Sequence, residues 1–217
     1  MSQISNKLPK KSYFWLLLLA AIIIHQIPII SVPFKWLESY FHEISHGLAA
    51  IATGGSIVRI ELFDNGAGLC TTIGGVRFVV AFMGYAGATL WGVLLYALGS
   101  SSKKIAMLGN GLISVLLALT LLLWVQDLRT FIIIGSLVLL FVIKLKFGQL
   151  LALPTIFRLT GLLVLLNSMY SPLYLLDGRS LGDGATLAQI TLIPELIWVL
   201  LWSVLALASL YTIGKKS

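Results

Sequence analysis

The residues best suited to chemistry in this chain are His42, Glu43 and His46, in the run Phe41-His42-Glu43-Ile44-Ser45-His46-Gly47. Their spacing is H-E-x-x-H. On an α-helix, positions i and i+4 share a face, so both imidazoles can reach one ion at about 2.0–2.1 Å. Glu43 directly follows the first histidine and points to the side of the ion. There its carboxylate can take a proton from water instead of filling a coordination position, which is the division of labour of a zinc hydrolase. A catalytic zinc usually takes three protein ligands and keeps one position for water.

The third ligand must come from elsewhere. With one cysteine, Cys70, a thiolate cluster and an internal disulfide are both excluded, and only eight acidic residues are available. Asp177 follows an apolar run in Leu175-Leu176-Asp177-Gly178, and Asp183 stands in Leu181-Gly182-Asp183-Gly184 before the last helical region. Each also has a purely structural reading. Asp177-Gly178 suits a turn, and Asp183 suits the cap of a helix beginning near Ala185. The residues alone leave both aspartates open as the third ligand.

The element that positions the two histidines must be a helix. Ser31 and Pro33 provide a start signal and Gly54-Gly55 a stop. Between them lie about 20 residues, or about 30 Å of helix, enough to cross a bilayer. His42 then falls about 14 Å along, near the middle of the span. Ionisable groups at that depth are costly and are functional candidates by default.

Composition makes lipid the solvent. Of 217 residues, 59% are hydrophobic and 11% charged, with a mean hydropathy of +1.00. Soluble chains carry about 25% charged residues. Apolar runs at about 13–32, 34–53, 76–99, 105–126, 130–143, 147–176 and 194–213 predict six or seven transmembrane helices, the fifth run being short and the sixth holding Arg158. The run at 13–32 has span length and no small-residue cleavage site, so it reads as a retained helix. No repeat or linker divides the chain, which is taken as a single integral-membrane domain, 1–217.

The net charge of +7 sits in short clusters: Lys7, Lys10 and Lys11 before the first run, Lys215 and Lys216 after the last. These suit lipid headgroups, not a nucleic acid, which would need a basic, aromatic-studded surface. Basic residues divide evenly between alternate loops. Orientation therefore rests on the first helix, whose flanking lysines favour a cytoplasmic N-terminus.

One segment reads as β-structure. Ser56–Phe63 alternates polar and apolar residues, Asp64-Asn65-Gly66 supplies turn chemistry, and Leu69–Ile73 resumes β-favouring residues. Within a membrane an open strand edge needs water or protein beside it, so the hairpin is expected at the interface or along a cavity. Gly84, Gly87 and Gly92 allow close helix packing near the site. His25 is read as an interhelical contact, Arg158 as an anchor and Glu195 as a charge at a helix start.

With these residues in view, the chain resembles the site-2 protease family of intramembrane zinc metalloproteases. The likeness rests on His42, Glu43 and His46, on Leu176-Asp177-Gly178, and on Asn167 and Pro172 before it. In that family the aspartate of Leu-Asp-Gly completes the zinc site, which implies Asp177. Residues 42–62 are more similar still to a compact bacterial and plant branch, with its B-type peptidases. That branch runs from H-E-x-x-H through Thr-Gly-Gly into a strand. Its C-terminal Ser-Asp-Ala, Leu-Ala, Thr, Pro and Trp pattern is similar to Gly182-Asp183-Gly184, Leu187-Ala188, Thr191, Pro194, Trp198 and Trp202, which implies Asp183. The middle of the chain matches only in hydropathy.

The resemblance implies an all-α polytopic membrane protein with a small β-hairpin after the H-E-x-x-H helix, set in a bacterial cell membrane. It implies Zn2+ as cofactor, Glu43 as the catalytic base, and a transmembrane or membrane-associated protein as substrate. Rival functions are a catalytically silent scaffold or chaperone of the same fold, against which an intact Glu43 argues, and a metal transporter. A transporter would need more ionisable groups along a conduction path than this chain offers.

Overall fold

The computed structural model describes residues 10–147 and 153–217. Lys7 and the start of the sixth apolar run, 148–152, lie outside them. The chain forms α1 (Lys10–His25), α2 (Pro28–Ala52), β1 (Ser56–Leu62), β2 (Gly68–Ile73), α3 (Arg77–Ser100), α4 (Lys103–Leu123), α5 (Leu128–Phe147) and α6 (Leu153–Tyr170). A 3₁₀ turn (Ser171–Leu176), α7 (Asp183–Thr191) and α8 (Glu195–Lys216) complete it. The fold is helical, with one small antiparallel hairpin after the helix bearing H-E-x-x-H.

Helices α3, α4, α5, α6 with its 3₁₀ continuation, and α8 are each long and apolar enough to cross a membrane. Helices α1 and α2 pass the same test only together and are bent by 103° at the break between them, so the count reaches six when the pair is one broken span. The first two apolar runs thus do not pass as two separate spans. Pro28 at the first turn of α2 has the φ a helix start needs. The helix therefore begins there and not at Ser31, and Pro33 lies inside it. Lys35, Glu38 and Glu43 make α2 too polar to resemble an ordinary lipid-facing helix. By contrast α4 and α5 turn many large apolar side chains outward, Leu122 being 78% exposed, as a lipid-facing surface requires.

At the centre, α3 packs most extensively against α6 and α2. Glycines set the approach. A Cβ on Gly161 would meet the Gly92 carbonyl oxygen at 2.7 Å, so α3 and α6 cross nearly backbone to backbone. Gly87 receives Ser45 of α2 in the same manner. Arg158 of α6 donates from Nε to the Gly99 carbonyl at 2.9 Å, anchoring the end of α3. His25 stacks on Tyr170, with centroids 5.6 Å apart.

After α2 ends, Gly54 takes a φ of +87°, and the chain turns into the hairpin. Ile60 pairs with Cys70 and Leu62 with Gly68, with an irregularity between Ile57 and Arg59. The loop is wider than a two-residue turn: the Phe63 N–H donates to Ala67 O at 2.9 Å and the Ala67 N–H to Asn65 Oδ1 at 3.0 Å. The outer edge of β1 is covered. The Ile60 N–H donates to Trp124 O and the Leu62 N–H to Thr130 Oγ1, each at 2.9 Å. Gly68, Leu69 and Cys70 of β2 line a cavity against α2.

Candidate metal centre

One turn of α2 presents His42 and His46 on the same side, as the i, i+4 spacing requires, with their Nε2 atoms 2.9 Å apart. From the other end of the chain, Asp183 Oδ2 stands 3.1 Å from His42 Nε2 and 3.2 Å from His46 Nε2. Ligands held at about 2.0–2.1 Å in a tetrahedron lie about 3.3–3.4 Å from one another, so these three atoms outline one face of a zinc-sized site. Among the described residues, His42, His46 and Asp183 are the group of potential ligands within reach of one ion, all three atoms lying within 4.8 Å.

The surroundings orient the donors. His46 Nδ1 donates to the Val80 carbonyl of α3 at 2.7 Å, which directs the Nε2 lone pair toward the other two donors. Val80 O can take this bond with its second lone pair, beside the helical one. Gly84, one turn later, clears space for both imidazoles, since any Cβ there would run into the His46 and His42 rings. The His42 ring also meets the Tyr85 ring edge-on, with centroids 4.3 Å apart. Tyr85 in turn rests on Trp202 of α8, whose Nε1 donates to Phe82 O at 3.2 Å.

Asp183 is the first residue of α7, with Gly182 before it at φ +94°. No side-chain cap bond is made at this helix start. The carboxylate that capping would have used points at the histidines instead. Leu187, fully buried among Ala81, Tyr85, Trp198 and Trp202, holds α7 in place over α2 and α3.

Asp177 is placed differently. It follows the 3₁₀ turn and is held by Arg179, whose guanidinium approaches at 2.5 and 2.6 Å and whose N–H donates to Oδ1 at 2.9 Å. That side-chain hydrogen bond, helped by the Arg179 N–H, keeps the Asp177 carboxyl below the usual range. Of the two aspartates left open by the residues, the structure brings Asp183 to the histidines and leaves Asp177 outside. Asn167 and Pro172 do not reach the centre either: Asn167 Nδ2 donates to Leu163 O at 3.0 Å, and Pro172 is buried in the 3₁₀ turn.

Glu43 is buried at 5% exposure beside the donors and lines the same cavity of about 420 Å³. Gly68 of β2 makes room for it, since a Cβ there would come within 2.5 Å of Glu43 Oε1. Cys70 is not among the converging donors. Burial first, then the charges of Glu43 and Asp183, push its thiol up to about 12. The arrangement offers an ion, a water and a substrate carbonyl a common meeting point beside a carboxylate base.

Sequence reasoning missed two cavity residues. Glu38, one turn before His42 and so on its face, is buried and accepts a hydrogen bond from Ser171 Oγ at 2.9 Å. The i−4 spacing was a usable signal for it. Tyr85 had none, because only the packing of α3 on α2 brings it to His42.

A family model described as Peptidase M50B-like matches residues 15–213. No curated protein and no solved structure gives a significant match.

Proposed function

Since the chain belongs to the Peptidase M50B-like family, the site-2 protease family, we propose that it is an intramembrane zinc metalloprotease. It would hydrolyse peptide bonds of membrane-embedded or membrane-proximal proteins. The observation that carries this reading is the convergence of His42 Nε2, His46 Nε2 and Asp183 Oδ2 beside a buried Glu43. His42, His46 and Asp183 are the three protein ligands, and Zn2+ is the ion whose ligand chemistry they suit. When bound, zinc supplies Lewis acidity toward water and toward a peptide carbonyl.

The chain's own groups do the rest. Glu43, with a carboxylate free of any coordination role, takes a proton from the attacking water and returns it to the leaving amine. His46 keeps its orientation through Val80, so the ligand set is held ready before substrate arrives. A scissile peptide must be extended, because in a helix its carbonyl is hydrogen-bonded along the chain. The cavity-facing side of β2 suits such a strand, since the outer edge of β1 is already occupied by Trp124 and Thr130. Intact Glu43 weighs against a silent scaffold, for which metal binding alone would suffice.

The test is Glu43→Gln in purified protein, with zinc measured by elemental analysis and cleavage by product detection. Cleavage is expected to fall to background with the zinc content unchanged. Undiminished proteolysis by that variant refutes the assignment of the base.

A further inference from the structure

Tyr85 directly follows Gly84 on α3, where the chain passes close to the two imidazoles. Its ring is fixed on both sides, edge-on to His42 and tilted against Trp202 at 4.8 Å. The residue is 9% exposed and lines the cavity that holds His42, Glu43, His46 and Asp183. The carboxylates of Glu38, Glu43 and Asp183 line the same cavity. Among the described residues the Tyr85 hydroxyl makes no hydrogen bond, and it is not one of the sealed, unpartnered polar atoms, so it opens onto the cavity. Two other hydroxyls of the cavity are already committed, Ser39 to Gly66 O and Ser171 to Glu38.

A preorganised neutral donor beside a reacting carbonyl stabilises the charge that develops there. We propose that Tyr85 is a catalytic residue, its hydroxyl donating a hydrogen bond to the oxygen anion that forms on the scissile carbonyl as water adds. The inference rests on the peptidase reading above. The Tyr85 O–H bond stays intact throughout. The proton released by the attacking water goes to Glu43 and then to the departing amine, while the carbonyl π electrons move onto the oxygen to which Tyr85 donates and return as the C–N bond breaks.

The experiment compares wild type, Tyr85→Phe and Glu43→Gln in nanodiscs. It measures zinc content, kcat and KM on a fluorogenic transmembrane peptide, and affinity for a phosphinic peptide that mimics the tetrahedral carbon. Phenylalanine keeps the ring contacts with His42 and Trp202 and removes only the hydroxyl. The expected result for Tyr85→Phe is a kcat lower by about 10²–10³ with KM and zinc content unchanged. Phosphinic-peptide affinity should fall by a comparable factor. A wild-type kcat in Tyr85→Phe, or a loss accompanied by loss of zinc, overturns the proposal. Failure of the peptidase reading itself would appear as equal cleavage by wild type and Glu43→Gln. In that case unaltered phosphinic-peptide affinity in Tyr85→Phe still overturns the role of the hydroxyl.

Discussion

Two aspartates six residues apart, each followed by glycine, meet opposite fates. Asp177 follows a 3₁₀ turn in which Tyr174 is 77% exposed, and Arg179 claims its carboxylate. Asp183 opens a helix with Leu187 buried in an aromatic cluster, and that packing carries its carboxylate to the histidines of α2. The local sequences are nearly alike in chemistry. What separates them is the partner each finds: Arg179, two residues on, for Asp177, and for Asp183 the histidines to which the packing of α7 carries it.

The comparison is most exposed to direct replacement. Asp183→Ala should lose bound zinc and reduce cleavage to background, because a two-histidine remnant holds the ion poorly. Asp177→Asn should leave zinc content and kcat unchanged. The reverse pattern, read by elemental analysis on the two variants, would transfer the third-ligand role to Asp177.

A second pair of variants sharpens the distinction between holding the ion and moving the proton. At Gly84 an added methyl meets the two imidazoles, and at Gly68 it meets the Glu43 carboxylate. Gly84→Ala should therefore lower zinc affinity. Gly68→Ala should keep the zinc and lower kcat by about 10²–10⁴, the range that a displaced general base costs. Equal zinc titrations for the two variants would argue against separate roles for the α3 and β2 walls of the cavity.

The smallest effect concerns the Asp177–Arg179 pair. Its carboxyl lies below the ordinary value when folded. Any stability it adds is present above the ordinary carboxylate pKa and is lost as pH falls through the lowered one. A carboxyl-carbon titration by NMR should show that depressed pKa in wild type and its return toward normal in Arg179→Ala, with cleavage at neutral pH unaffected.

Much of this molecule was legible residue by residue. The i, i+4 histidines required a common helix face, and α2 provides it. The alternation at 56–63 and the turn residues Asp64-Asn65-Gly66 required a hairpin, and β1 and β2 form it in that place, with a loop closed by Phe63 and Ala67. The start of α2 was misread because Pro33 resembles a first-turn proline. Pro28 takes that role, and the chain bends by 103° between α1 and α2.

By itself the sequence determined the solvent, the helical class and the geometry of His42 and His46. Each of these follows from composition or from a periodicity spanning a few residues. The tertiary structure alone decided which aspartate joins them, and that Tyr85 stands beside them. Those choices depend on how helices far apart in the chain bury their apolar faces against one another, and no local spacing encodes that packing.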